Sequence, residues 1–271
     1  MSKVMDTTYY REWFNGRVEI ADTIVETFKG TNAEYDAEIL LCCAISALAA
    51  KIWTGDRIDR FRFIQLLVDF NLNLTTISIP LLIEKLKKDN KGKEAQILEK
   101  EFNLEEKTKI LVAREVDQFE IRINEILPDL QIAEIRKSSY ADIIYSDLRC
   151  GLIHEYTLCE NLTGYGMSNN KNEPSYVNRV EDNINKILNY YQNKKSNCVD
   201  GSQSDSDDQM IKPVTLLNYT VKKLLYFPYI WLKKILISSA EEVFNYWDTA
   251  ESYKKSIPEH WWIEGQIESK N

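Results

Sequence analysis

A run of twelve uncharged residues at positions 39–50 constrains the fold of this chain more than any other stretch. The run lies inside a helix-like segment, residues 34–53, that is apolar on almost every side. A helix of that kind is usually buried in a protein core. Because twelve residues rise only about 18 Å in a helix, the run is too short to span a bilayer. We therefore expect a buried central helix in a globular protein.

Apolar residues at helical spacing predict further helices on both sides of this segment. Gly30 is placed to end the first of them, and Pro80 suits the start of another. The expected helices cover residues 6–29, 57–70, 81–88, 94–127 with a break near Asn103, and 130–154 with a restart near Ser138.

The pattern changes after residue 154. Short mixed stretches between residues 156 and 177, interrupted by glycine and asparagine, predict a small hairpin or an ordered loop. Helix is expected again over residues 180–191, and an amphipathic helix, or two joined near Pro228, over residues 215–247. The predicted fold class is therefore all-α, with a small irregular or β insertion after the helix that ends at residue 154.

These patterns divide the chain into three regions. Residues 1–193 form the main helical domain and include the insertion. Residues 194–212 hold Ser, Asp, Asn and Gln with almost no bulky apolar side chain, so we expect a flexible acidic, Ser-rich loop. Residues 213–271 form a C-terminal helical region that docks on the core or on a dimer partner.

Charge and cysteine usage limit the functional classes. A formal charge of −8 argues against a protein that coats nucleic acid by bulk positive charge, although it permits a local cationic groove. The five cysteines form no C-x-x-C pair, which argues against a disulfide framework and fits a reducing compartment. The first residues lack a secretory pattern. We therefore expect a cytoplasmic protein with no membrane span.

The best candidate for chemistry is Arg149 with His154, one of only two histidines in the chain. An imidazole, with an ordinary pKa of about 6.5, can accept or donate a proton near neutral pH. A guanidinium can hold the oxygens of a phosphate through its planar fork. Together they suit cleavage of RNA without a metal, by attack of the 2′-hydroxyl on the adjacent phosphate. The expected products carry a 2′,3′-cyclic phosphate and a 5′-hydroxyl.

Helix geometry places a condition on this pair. Residues five apart in a regular helix diverge by about 140°. Either the helix yields at Gly151, where glycine weakens it, or a two-fold dimer places both copies of the pair around one cleft.

The run Leu148-Arg149-Cys150-Gly151-Leu152-Ile153-His154-Glu155, at the end of a long predicted helix, resembles the R-x4-6-H signature of HEPN-domain ribonucleases. Residues 34–70 are similar to the first part of the same helical domain, so the resemblance covers roughly residues 34–156. It implies a HEPN-like helical bundle, metal-independent RNA cleavage and a homodimer with a composite active site at its interface. It also implies a role in toxin–antitoxin systems or antiviral defence, with Arg149 and His154 as the catalytic pair.

One position departs from the family. Cys150 follows the arginine where the family often has Asn, Asp or His, and a thiol is a much poorer hydrogen-bond partner. A non-catalytic RNA-binding or scaffold protein is therefore the main alternative. In a purely structural alternative, His154 caps the helix and Arg149 pairs with Asp142, Asp147 or Glu155. In a third, the chain is a regulatory subunit that carries a nucleotidyl group on Tyr156.

The neighbours of the pair have candidate supporting roles. Asp147 and Glu155 could orient Arg149 or adjust the proton affinity of His154, or they could be solvated charges at a helix end. Tyr156 could stack on an RNA base, or it could be a half-buried core residue. The densest basic cluster supplies the candidate contacts to the RNA backbone, Lys85, Lys87 and Lys88. No cofactor or metal is predicted, because the spacing of Cys150, His154 and Cys159 matches no standard zinc site. An active ribonuclease must be restrained, so an inhibitory partner is a further possibility.

Overall fold

A computed structural model of the protein describes residues 7–28, 33–104, 111–155, 157–163, 172–181 and 220–264. Four helices build its centre: α1 (Thr8–Thr27), α2 (Ala33–Ile52), α3 (Asp59–Phe70) and, from the other end of the chain, α11 (Tyr229–Thr249). α2 packs against the other three, and Leu41, Ile45 and Ile52 are fully buried between them. The mostly helical character expected from the sequence is confirmed.

The next part of the chain consists of shorter helices. α4 (Ile79–Lys88) and α5 (Gly92–Glu101) pack against each other, and Ser78 caps α4, with Pro80 in its first turn. The mostly helical structure predicted for residues 94–127 is found in the described part of that range. α5 ends close to the predicted break at Asn103, and α6 (Ala113–Val116) and α7 (Glu120–Ile126) follow. The chain between these two helices is extended, because Ile77 forms an antiparallel bridge with Gln118.

The predicted helix over residues 130–154 is also divided. α8 (Ile132–Arg136) ends before a bridge between Ser139 and Ile77, and the Ser139 hydroxyl then caps a new helix. That helix runs without interruption through α9 (Tyr140–Ile143), a π turn (Ile144–Arg149) and α10 (Cys150–Glu155). We call these three segments together the motif helix.

A two-stranded sheet follows, formed by β1 (Ser175–Glu181) and β2 (Thr220–Tyr226). The prediction of helix across residues 220–226 is therefore wrong, as is the predicted start of a helix at Val180. Backbone partners decide this, since the N–H and C=O of Leu225 bond to Asn161 and Thr163 at 2.9 and 3.0 Å. The rest of the helix predicted up to residue 191, and the predicted loop 194–212, lie outside the described residues.

The chain divides into two compact units. One comprises Met1–Val177 with Leu224–Asn271, and the other comprises Asn178–Lys223. The motif helix, α2 and α11 all belong to the first unit. Within the ranges that the structure describes, no helix combines the length and apolar character needed to cross a membrane.

A buried carboxyl group ties several segments of the first unit together. Asp117 accepts hydrogen bonds from the hydroxyls of Tyr140 (2.6 Å) and Tyr176 (2.7 Å) and from the backbone N–H of Ile79 (3.0 Å). The Tyr176 hydroxyl also lies 2.7 Å from that of Ser78. Burial raises the pKa of Asp117 to about 7, although the three hydrogen bonds act in the opposite direction.

This network predicts a pH-dependent stability. The native pKa lies above that of an unfolded aspartate, about 3.9, so between these values only the native state holds the proton. The free energy of unfolding should therefore fall as the pH rises through this window, and between pH 5 and 8 Asp117 should account for about 2–3 kcal/mol of the fall. Denaturant unfolding at both pH values should show a smaller difference for Asp117→Asn than for wild type. Asp129→Asn, which alters an exposed carboxylate, is the control, and an unchanged difference in Asp117→Asn would contradict this account.

Candidate functional site

The π turn of the motif helix positions Arg149. In this segment the backbone bonds to the residue five positions back, as in the bond from the Cys150 N–H to the Tyr145 carbonyl. A π turn accommodates one more residue than an α-helical turn, which changes the direction of the side chains that follow it, and such turns are frequent at functional sites. Arg149, the last residue of the turn, is directed towards α2 and α3.

Arg149 is half-buried and held on several sides. Its Nε donates to the Ser46 hydroxyl on α2 at 3.0 Å, and that hydroxyl donates to the Cys42 carbonyl at 2.9 Å. The guanidinium carbon lies 4.9 Å from the ring centre of Tyr145 and 5.8 Å from that of Phe63. Aromatic faces attract a cation, so the side chain is oriented without a carboxylate.

No carboxylate of the described residues lies within ion-pair distance of Arg149. Asp142 pairs with Arg60 at 2.7 Å instead, and Asp147 accepts a hydrogen bond from Asn161 at 3.2 Å. The Cys150 thiol, with its sulfur 3.9 Å from Nη1, is only a weak partner. The structural alternative in which Arg149 pairs with Asp142, Asp147 or Glu155 is therefore not what is observed. The guanidinium retains N–H donors that an anion can use.

A buried carboxyl group, Glu38, lies on the same helix as Ser46. Glu38 precedes Cys42 by about one turn and is 4% exposed. Burial, and then the neighbouring Glu34, raises the pKa of Glu38 well above its usual range. Burial therefore disfavours the charged form of Glu38.

His154 is exposed in the last turn of α10. It makes no hydrogen bond or ion pair with the residues that the structure describes, Arg149 included. The helix continues through Gly151, so it does not yield there, and its departure from α geometry lies upstream at Ile144–Arg149. Within one protomer the two members of the pair consequently face different surroundings.

The sequence predicts that Gly151 weakens the helix, but in the structure Gly151 makes room for the chain that follows. The chain after the motif helix turns back along it, with Thr157 N–H donating to the Gly151 carbonyl and Cys159 N–H donating to the Asp147 carbonyl, both at 3.3 Å. A Cβ at position 151 would lie 2.6 Å from the Thr157 carbonyl oxygen and 3.1 Å from the Cys159 sulfur. Only glycine allows this close approach.

The predicted supporting residues, Asp147, Glu155 and Tyr156, differ in their surroundings. Asp147 is half-buried, and its bond to Asn161 links it to the returning segment, whereas Glu155 is exposed beside His154. Tyr156 lies outside the described residues.

The three candidate lysines lie near the end of α4, and each has a partner. Lys85 is half-buried and donates to the Glu134 carbonyl at 3.4 Å, and burial, followed by the neighbouring Lys137, lowers its pKa. Lys87 and Lys88 are exposed and pair with Glu99 at 2.7 Å and Glu160 at 2.5 Å. Exposed ion pairs are weak, so a phosphate can replace either glutamate. Lys88 is the best placed of the three, because Glu160 belongs to the segment that returns along the motif helix.

Sequence reasoning did not identify the residues that hold Arg149, which are Ser46, Phe63 and Tyr145. A usable signal was present for one of them, since Ser46 is the only hydroxyl in the apolar run 39–50. Phe63 and Tyr145 follow ordinary core patterns, so nothing in the sequence distinguishes them from other buried aromatic residues.

No protein-family model, curated protein or solved structure matches this chain. Over the described ranges, no three or more His, Cys, Asp or Glu side chains are grouped so that they could hold a metal ion. The interpretation of the site therefore depends on its own geometry.

The contact at Gly151 gives a test of local packing. Gly151→Ala should lower the free energy of unfolding by about 1–3 kcal/mol, because its methyl group meets backbone that cannot rotate away. Gly16→Ala in α1 is the matched control: apart from its own helix backbone and chain neighbours, no atom lies within 4 Å of the new methyl group. Alanine is also the better helix former by about 0.8–1 kcal/mol. Thermal or urea unfolding would measure both, and equal stability of the two variants would exclude the close approach.

Proposed function

We propose that this chain is a HEPN-type, metal-independent endoribonuclease that acts as a toxin or antiviral defence effector, with Arg149 and His154 as its catalytic pair. The observation that supports this proposal most strongly is the set of partners that hold the Arg149 guanidinium. A half-buried guanidinium normally has a carboxylate partner, and this one is held by a hydroxyl and two aromatic rings instead. Such an arrangement fixes the fork while leaving its charge available for a phosphate.

The pair divides the chemistry between two groups. Arg149 binds the non-bridging oxygens and stabilises the negative charge that accumulates on the phosphorane. The bond from the 2′-oxygen to phosphorus forms while the bond from phosphorus to the 5′-oxygen breaks. His154 takes the proton of the 2′-hydroxyl while water protonates the departing 5′-oxygen, or it protonates that oxygen while water takes the proton of the 2′-hydroxyl. Its exposure suits this role, since a polynucleotide can reach the imidazole.

A homodimer completes the proposal. Within one protomer Arg149 is bonded to α2, whereas His154 is exposed five residues later, and the helix between them is regular. A two-fold axis beside the motif helix can bring Arg149 of one copy and His154 of the other to a single phosphodiester. Lys88, at the edge of the returning segment, is a candidate contact for the adjoining RNA backbone.

Cleavage of end-labelled single-stranded RNA in excess EDTA tests the activity. Wild type should yield fragments whose 3′ ends resist poly(A) tailing until the cyclic phosphate is removed. His154→Ala should reduce the rate by about 100-fold or more, and Arg149→Ala by a similar factor, because each removes a group that acts in the transition state.

His260→Ala provides the matched control. It removes the other histidine of the chain, which is also exposed and lies in the C-terminal region. It should leave the rate unchanged. Cleavage by His154→Ala at the wild-type rate would refute the assignment.

Binding of RNA without cleavage would instead favour the non-catalytic alternative. The specific observation behind that alternative is the Cys150 sulfur, which lies 3.9 Å from Nη1 of Arg149.

Mixed dimers test whether the site is composite. Arg149→Ala and His154→Ala proteins, each inactive alone, should regain activity when their subunits are exchanged. One of the two sites in a mixed dimer then combines an intact Arg149 with an intact His154, so the recovered rate should approach half the wild-type rate per heterodimer. No recovery after verified subunit exchange would mean that both residues act from the same protomer.

A further inference from the structure

The buried carboxyl group of Glu38 lacks the partners that the other buried carboxyl groups have. Glu38 is 4% exposed and makes no hydrogen bond or ion pair with any residue that the structure describes. Asp117 is bonded to two tyrosine hydroxyls, and Asp142 is paired with Arg60. Removing a carboxyl group from water without such a partner costs free energy. An unpartnered group of this kind therefore calls for a functional explanation.

Glu38 lines a small cavity in the first unit of the chain. The cavity lies between α2, the motif helix, the segment that returns along it and the end of β2, and its volume is about 10 Å³. That volume admits one group of the size of a water molecule. Leu148 on the motif helix and Leu158 and Leu162 on the returning segment form an apolar wall. Glu34 also lines the cavity and is exposed, so the opening to solvent lies beside it.

Glu34 brings a second carboxyl group to the same cavity. It precedes Glu38 by four residues, so the two side chains lie on one side of α2, and its charge adds to burial in raising the pKa of Glu38. The first turn of a helix favours a negative charge, which accounts for Glu34 but not for Glu38 one turn later. Among the described residues, no lysine or arginine lines the cavity. Two acidic groups therefore converge where the described chain supplies no cation.

Aromatic rings complete the lining. Tyr35, Tyr226 and Phe227 all border the cavity. Burial, followed by the nearby Glu34 and Glu38, raises the pKa of Tyr226 to about 12, so its hydroxyl is neutral and keeps a lone pair for a donor. The faces of aromatic rings attract cations, and their carbon atoms pack well against an alkyl chain. Carboxyl groups, rings and leucines together suit a ligand with a charged head and an apolar stem.

We propose that this cavity binds the ammonium group of a small aliphatic primary amine, with Glu38 and Glu34 as its carboxylate acceptors. A primary ammonium is close to a water molecule in size and carries three N–H donors, so it fits the volume and can bond to both carboxylates. The alkyl stem leaves the cavity past Glu34, along the aromatic and leucine side chains. The positive charge of the ligand favours the charged form of Glu38, which burial alone disfavours.

The donor set favours an amine over a metal ion. Magnesium and calcium take six or more oxygen ligands, whereas only two carboxyl groups of the described residues line this cavity. Over those residues, no group of three or more His, Cys, Asp or Glu side chains is placed to hold a metal ion. The proposal is independent of RNA cleavage, because Arg149 bonds to Ser46, about 12 Å further along α2 than Glu38.

Calorimetric titration of the full chain with n-butylamine tests the proposal. Wild type should bind the amine, and n-butanol, which has the same stem without the charge, should not bind. Glu38→Gln should weaken binding by about tenfold or more, because a hydrogen bond between charged groups is lost, and Glu34→Gln should weaken it by a smaller factor. Glu12→Gln, at an exposed position of α1, is the matched control and should bind as wild type does.

Two results of this titration would overturn the proposal. One is an equal affinity of wild type and Glu38→Gln for n-butylamine. The other is binding of Mg²⁺ that excludes the amine and is lost in Glu38→Gln, which would assign the cavity to a metal ion. The source of the amine is distinguished by 1,4-diaminobutane and Nα-acetyl-lysine methylamide. Tighter binding of the first indicates a free diamine, and tighter binding of the second indicates a lysine side chain.

Thermal unfolding separates a binding role of Glu38 from a structural one. Without amine, Glu38→Gln should unfold at a temperature no lower than wild type, because it removes a buried acid that has no partner and lies beside Glu34. Addition of n-butylamine should raise the unfolding temperature of wild type and of Glu12→Gln but not that of Glu38→Gln. A Glu38→Gln chain that is unfolded, or that melts well below wild type without amine, would show a structural role and contradict the proposal.

Discussion

Because α2 is apolar on nearly every side, it is stable only when other helices surround it, and α1, α3 and α11 provide that cover. α11 comes from the far end of the chain, so the core forms only when both ends have been brought together. The motif helix packs against a further part of α2, where Ser46 accepts a hydrogen bond from Arg149. The position of the candidate site is therefore a consequence of how α2 is buried.

The local chemistry of the site depends on the way a charge is held at the edge of that core. A guanidinium that is partly removed from water needs hydrogen bonds and an electrostatic counterpart. Ser46 supplies the hydrogen bond, and the rings of Tyr145 and Phe63 supply the electrostatic counterpart. The π turn is the backbone adjustment that brings Arg149 to these partners.

Much of the helical structure could be predicted because apolar spacing and caps are local. The expected bounds of α1, α2 and α3 lie within two residues of the observed ones, and Pro80 lies in the first turn of α4. The failures occur where backbone pairing with distant residues replaces helix. Gln118 and Ser139 both pair with Ile77, and Leu225 pairs with Leu162, so segments with moderate helical character are extended instead. Window-based periodicity does not register such partners.

For the candidate site too, some features could be predicted from the sequence and others were decided only by tertiary packing. Residue types and spacing were enough to select Arg149 and His154, to predict a buried α2 and to exclude a bilayer span for the run 39–50, because all of these depend on side-chain chemistry and helix periodicity. Tertiary packing decided which groups hold Arg149 and why position 151 must be glycine. Each of these depends on atoms that are far apart in the chain, such as Ser46 and Arg149, and that meet only after the helices have packed.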